Sequence, residues 1–324
     1  MARGIRKRAE GLAMHGLLRG LSLAGRLLPE ADLAGQGIEL LRDVPYLAGA
    51  DAARTLDVYR PQGRGPFPTV LYIHGGGFRI LSKDSHWIMG AMLARAGYLV
   101  FNINYRLAPQ HRFPAALEDV SAAYAFLAAR GASFGADLGR LAIAGESAGA
   151  NLATALTVML VQERDEPFAQ RAFETGLLPR AVVPYCGVHQ VTEPARFRER
   201  QPKISQLVQD RIHVISRDYA PHGHDLSAPG GLLDPVVELE RGPTLARPLP
   251  PFLIPVGTKD PLIEDSRRLE RALTALGGDA RLRYYPGEIH AFHAFVWREK
   301  ARACWDDTYS FLDETLAPRA PGVA

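Results

Sequence analysis

An α/β fold, with helices covering both faces of a mostly parallel sheet, is the architecture this sequence predicts, and three observations predict it. From about residue 55, short runs rich in Val, Ile, Leu and aromatic residues alternate with helical stretches, the rhythm of successive strand–helix–strand units. Several of these runs are apolar throughout, as strands buried on both faces must be. One of them passes through a Gly-Glu-Ser-Ala-Gly turn directly into an alanine-rich helix.

The strand candidates, in chain order, are TVLYIH (69–74), YLVFNINY (98–105), RLAIAG (140–145), AVVPYC (181–186), FLIPVG (252–257) and ARLRYYPG (280–287). Between them, Ala115 to Arg130 sets Leu117, Val120, Tyr124 and Leu127 on one helical face behind Pro114, and Ser266 to Leu276 repeats Leu269, Leu273 and Leu276. Both read as crossover helices. The alternation lapses between about 188 and 250, where His, Pro, Gly and Arg accumulate, and a long irregular insertion in a compact fold is usually a lid. The expected organisation is one domain over 1–324, with a catalytic core at about 51–187 and 251–317 and cap elements at about 1–50 and 188–250.

The first thirty residues are basic and leucine-rich. At helical spacing Arg8, His15, Arg19 and Arg26 share one face, while Met14, Leu17, Leu18, Leu21 and Leu28 share the other. His15 and Arg19 interrupt the apolar run a signal peptide needs, so the segment reads first as a cap helix, then as a helix on a membrane surface, then as a targeting segment. A peripheral membrane contact and a homodimer stay open on this evidence. No apolar run is long enough to span a bilayer, and a soluble, cytoplasmic protein is expected.

Composition excludes other classes. With 47% hydrophobic and 23% charged residues the chain is an ordinary globular one, and a net charge of +3 from interspersed basic and acidic residues gives no footing for nucleic acid. Cys186 and Cys304 lie far apart, without a thiol or histidine at ligand spacing, so neither a disulfide nor a metal site is expected, and Cys186 reads as a small buried hydrophobe.

Nucleophilic catalysis is the chemistry the motifs point to. A serine hydroxyl becomes a nucleophile when a tight strand-to-helix turn holds it exposed beside a base, and the turn around Ser147 has small residues, Gly145 and Gly149, where the backbones must nearly touch. His74-Gly75-Gly76-Gly77 follows a strand and leaves amides unshielded, which suits an oxyanion hole formed by Gly75, Gly76 and Ala148. No Lys-Ser/Thr pair or G-x-G-x-x-G pattern supports a phosphate loop instead. His74 precedes the serine and reads as structural. Of the later histidines, His290 follows a strand at the ligand-binding edge and is the expected base, with His293 facing a cap or solvent. Asp260, three residues past FLIPVG, is the expected acid, ahead of Asp265, which with Glu264 opens the next helix and complements its dipole.

Five blocks in order resemble the bacterial hormone-sensitive-lipase-like esterases of the α/β-hydrolase superfamily: His74 to Phe78, Tyr105 to Pro109 with Phe113 to Asp119, Gly145 to Gly149, Asp260 to Leu262, and His290 to Phe292. The resemblance spans about residues 55–317 and implies an α/β-hydrolase fold with a helical cap, a Ser147–Asp260–His290 triad and an oxyanion hole of Gly75, Gly76 and Ala148. Glu146 stands where many members have Asp, Ala291 where Gly is usual, and no block matches in the N-terminal or 188–250 regions. The expected activity is hydrolysis of short to medium acyl esters of small molecules, without cofactor or metal. The alternatives are a membrane-surface lipase on longer chains and a receptor-like hydrolase homologue that binds a ligand.

Overall fold

The computed structural model describes residues 31–49, 51–201 and 204–318, together with Gly16 and Gly20. The expected N-terminal amphipathic helix otherwise lies outside the described residues. Eight strands form one sheet in the order β1-β2-β4-β3-β5-β6-β7-β8. They are β1 (Ile38–Pro45), β2 (Thr55–Pro61), β3 (Phe67–Ile73), β4 (Leu99–Ile103), β5 (Ala136–Glu146), β6 (Ala181–Tyr185), β7 (Phe252–Gly257) and β8 (Ala280–Tyr285). β2 is antiparallel to both β1 and β4, and all the other pairs are parallel.

The six strands expected from apolar runs are present. β4, β6 and β7 are buried along their whole length, as a sheet covered on both faces requires. Two strands were not expected. β1 falls within the stretch assigned to a cap, and it is instead an edge strand whose IELLRDVP sequence mixes charges with apolar residues because much of it faces water.

Alternate side chains of one strand enter different cores. Leu71 and Ile73 join the cluster beneath α2 (Ala115–Arg130), α3 (Ala148–Val161) and α8 (Ile263–Ala275), while Val70 and Tyr72 join the one beneath α1 (Trp87–Arg95) and α9 (Glu299–Leu316). The remaining helices are α4 (Pro167–Glu174), α5 (Arg196–Arg200), α6 (Gln206–Tyr219) and α7 (Pro235–Glu240). Every residue of α3 is buried, which explains its alanines. Its two threonines return their hydroxyls to the carbonyls of Ala150 and Ala153, one turn back, so neither hydroxyl is orphaned in the core.

The 188–250 insertion is more ordered than its composition suggests, since it holds α5, α6 and α7, and the irregularity expected of it is confined among the described residues to the stretches 188–195, 201–205, 220–230 and 241–250 around them. Buried carboxylates fasten it. Asp234 accepts from the Val191 amide at 2.6 Å, the Thr192 amide at 3.0 Å, the Thr192 hydroxyl at 2.7 Å and the Gly230 amide at 2.8 Å, which ties the start of the insertion to the turn before α7. Arg196 forms a forked pair with Asp265 at 2.7 and 2.9 Å and also donates to the carbonyls of Thr192 and Gln190. Asp265 is therefore a structural anchor, and the dipole role expected for it is secondary. Among the described residues no helix is long and apolar enough to cross a membrane.

Removing one partner of a buried, forked ion pair leaves the other charge uncompensated, so Asp265→Ala should cost about 3–5 kcal/mol. Urea denaturation of the variant checks this, and a midpoint equal to that of the parent protein would refute the anchoring role.

Candidate active site

The sheet register aligns the ends of neighbouring strands: Ile73 pairs with Gly145, Glu146 with Tyr185, and Gly257 with Tyr285. The residues that follow these ends share one edge of the sheet, where open α/β folds bind ligands. Ser147 sits at the turn from β5 into α3 with φ 55° and ψ −110°, a conformation non-glycine residues avoid unless their surroundings impose it. The surroundings do impose it. A Cβ on Gly145 would lie 2.4 Å from the Gly149 carbonyl oxygen, and one on Gly149 would lie 2.1 Å from the Ile73 carbonyl oxygen, so only glycines let helix and strands come this close. The Ser147 amide donates to the Tyr185 carbonyl at 2.9 Å, which pins the turn to the next strand.

His290 Nε2 lies 3.0 Å from Ser147 Oγ, and its Nδ1 lies 2.8 Å from Asp260 Oδ2. A carboxylate only accepts, so Nδ1 carries the proton and Nε2 is left to accept from the serine hydroxyl. Asp260 is buried, and its Oδ1 accepts the Leu262 amide at 2.7 Å, so both of its oxygens are oriented. Burial disfavours the His290 imidazolium, but the Asp260 carboxylate, foremost by its charge, and Cys186 beside it outweigh burial and raise the imidazole well above its ordinary value. The loops that carry these two residues touch: the Lys259 amide donates to the Glu288 carbonyl at 2.9 Å, and a Cβ on Gly257 would lie 2.3 Å from that same oxygen.

Three of the expected site residues, Ser147, Asp260 and His290, are thus brought together. The glycine loop requires a correction. The Gly75 amide donates to His86 Nε2 at 3.2 Å, so it already has an acceptor. Among the described residues the amides of Gly76 and Gly77 make no hydrogen bond, and Ala148 opens α3, where the first amides have no partner within the helix. Gly76 adopts φ +112°, and a Cβ there would meet the Ile80 carbonyl oxygen at 2.0 Å. His74 is structural as expected: it stacks on Tyr105 with centroids 4.2 Å apart, and burial lowers its pKa to about 3, which keeps it neutral.

Several neighbours escaped the sequence reading. Glu146 is buried beside Ser147, with Oε1 3.7 Å from His86 Nε2 and Oε2 3.4 Å from His293 Nε2. Burial works against its charge, yet His86, His293 and His290 together hold its carboxyl at about 2. His293 does not face a cap or solvent. It is buried, stacked on Tyr185 with centroids 4.3 Å apart, and burial lowers its pKa to about 4. Cys186, at the end of β6, places its Sγ within 4.8 Å of donor atoms of His290 and Asp260, and burial pushes this thiol up. No spacing signal in the sequence ties His86 or Cys186 to the serine. The motif position of Glu146, next to the nucleophile, was the one available clue.

The insertion lies over the glycine loop. Ile215 of α6 fills the space a Gly77 side chain would need, at 2.7 Å, Phe78 stacks on Tyr219 with centroids 3.6 Å apart, and Arg79 pairs with Asp218 at 3.0 Å.

Comparison with known proteins agrees with this arrangement. A family model described as the alpha/beta hydrolase fold matches residues 70–294. An acetyl esterase of Salmonella choleraesuis (strain SC-B67) is 30% identical over 239 residues, covering 74% of this chain and 69% of that protein. The hyperthermophilic esterase of the archaeon Pyrobaculum calidifontis superposes with a TM-score of 0.74 at 25% identity, over 95% of this chain and 94% of that one. A thermophilic and thermostable carboxylesterase cloned from a metagenomic library superposes with a TM-score of 0.73 at 25% identity, over 94% of this chain and 97% of that one. These relatives favour neither the surface-lipase nor the receptor alternative. A strained serine at a sheet edge, set in a chain that shares its length and fold with esterases, makes this protein a serine carboxylesterase that belongs to the hormone-sensitive-lipase-like branch of the α/β-hydrolase family.

Proposed function

We propose that the protein hydrolyses short acyl esters of small molecules through an acyl-enzyme formed on Ser147. The observation that carries this reading is the unbroken hydrogen-bonded line from Ser147 Oγ through His290 to Asp260, at 3.0 and 2.8 Å. Ser147 attacks the ester carbonyl while His290 Nε2 takes its proton. Asp260 keeps the proton on Nδ1 and stabilises the imidazolium, which then returns its proton to the departing alcohol. Water repeats the sequence on the acyl-enzyme. The developing oxyanion is received by the amides of Gly76, Gly77 and Ala148, each such donor being worth about 3 kcal/mol in barrier height.

Two observations support a short acyl group. A Salmonella relative bears the name acetyl esterase, and Ile215 crowds the glycine loop where the acyl carbonyl would lie. We read α5, α6 and α7 as the cap that α6 brings over this loop. The nucleophile, base, acid and amides all come from one chain, so the reaction as read calls for neither a second subunit nor a membrane surface.

Ser147→Ala should lower kcat by roughly 10^4-fold or more while the fold is kept. Fluorophosphonate labelling of the parent protein but not of the variant checks it, and equal labelling of both would refute Ser147 as the nucleophile. Because Asp260 raises the His290 pKa above the ordinary 6.5, kcat/KM should climb with pH through a midpoint above that value as the imidazole loses its proton. In Asp260→Asn the raising charge is gone and burial remains, so the midpoint should move to lower pH and kcat should fall about 10^4-fold. An unmoved acid limb would contradict the pairing. Across a p-nitrophenyl ester series the optimum should lie at acetate to butyrate, and Ile215→Ala should shift it towards longer chains. An unchanged profile in that variant would remove Ile215 as the limit.

A further inference from the structure

One group near the site has no part in the mechanism. Cys186 follows β6, the strand between β5 and β7, and this position sets its sulfur against the paired side chains delivered by the β7 and β8 loops. Its amide donates to the Pro255 carbonyl at 3.0 Å, and the residue adopts φ 42°, so the backbone that aims the thiol is pinned to β7. One donor atom each from Cys186, Asp260 and His290 lies within 4.8 Å of the others, the one grouping of this kind among the described residues.

We propose that Cys186, Asp260 and His290 form an inhibitory site for a soft divalent cation of the zinc and cadmium type. Thiolate, imidazole and carboxylate are the ligand types such ions take, and hard cations that prefer all-oxygen cages are poorly matched to sulfur. Charge favours the same assignment. A thiolate, a carboxylate and a neutral imidazole balance a doubly positive ion, so the loaded site is neutral overall in a place where net charge is costly. At rest the thiol is protonated, because burial pushes it up, and the ion supplies the positive charge that lets the sulfur ionise. Binding releases one proton to solvent, from Sγ, while the His290 proton passes from Nδ1 to Nε2 so that the imidazole stays neutral, and no oxidation state changes.

Occupancy breaks the Nδ1–Asp260 hydrogen bond and ties the imidazole to the metal. His290 then cannot serve as the base, a consequence that rests on the relay proposed above, whereas the binding itself does not. Cys186 and Asp260 are almost fully covered while about a third of the His290 side chain is exposed, at 32%, so the ion reaches the sulfur past the imidazole and inhibition develops with time.

The test uses the full chain with CdCl2, and MgCl2 as the hard-ion control, reading esterase activity and the ultraviolet sulfur-to-cadmium charge-transfer absorbance together. Cadmium should raise that absorbance to a single equivalent as activity falls, with both reversed by EDTA, and magnesium should do neither. Cys186→Ala should abolish the absorbance and need roughly 10-fold more cadmium, or beyond, for half-inhibition relative to its own untreated rate. Cys186→Ser offers the same comparison at nearly unchanged volume should the alanine variant fail to fold. Cys304→Ala should behave as the parent protein, and Ser147→Ala should keep the absorbance. No absorbance in the parent protein, or the same absorbance and sensitivity in Cys186→Ala, would overturn the site. Absorbance that depends on Cys186 while hydrolysis continues unaltered would uphold the binding and overturn the relay on which inhibition depends.

Discussion

The contact between the loops after β7 and β8 is the constraint on which the site depends. Asp260 and His290 are thirty residues apart in the chain, and their separation of 2.8 Å holds only because the backbone at Gly257 can lie against the Glu288 carbonyl. A side chain there would push the loops apart by more than a hydrogen bond tolerates. The same economy of volume recurs at Gly145 and Gly149, which let α3 press against β3 and β5 and force Ser147 into its strained turn. Backbone proximity comes first, and the reactive geometry follows from it.

Around that geometry lies an unusual density of buried ionisable groups. Glu146 is the charged centre, flanked by His86 and His293, with His74 stacked nearby on Tyr105. Burial keeps His74 and His293 neutral, so neither competes with His290 as a base. His86 links the two halves of the site, since it accepts the Gly75 amide from the glycine loop and faces Glu146 from the nucleophile turn. The loop that offers its amides is thereby held in register with the serine. Preorganisation of this kind is what makes backbone dipoles effective toward a developing charge.

The insertion answers to a different set of forces. Its anchors, Asp234 and the Arg196–Asp265 pair, are polar and buried, and they fix position more than they add stability. From those anchors α6 reaches the glycine loop and meets it through apolar contacts, Ile215 on Gly77 and Tyr219 on Phe78. A carboxylate at the foot of the insertion and an aromatic stack at its tip divide the work between location and fit.

By itself the sequence determined the fold class, six of the eight strands, the serine turn, and the candidates Ser147, Asp260 and His290. These were legible because each leaves a local trace: apolar runs for buried strands, glycines for close approach, a polar residue just past a strand end. β1 left none, because an edge strand that faces water carries no buried period. The helices of the insertion were hidden among the turn residues that separate them. Only the tertiary structure decided that the Gly75 amide is spent on His86, that His293 is buried against Tyr185, and that Cys186 lies beside the catalytic pair. Each of those facts depends on which strands are neighbours and on the direction of a single bond, and residues brought together by sheet order rather than by spacing leave no pattern along the chain.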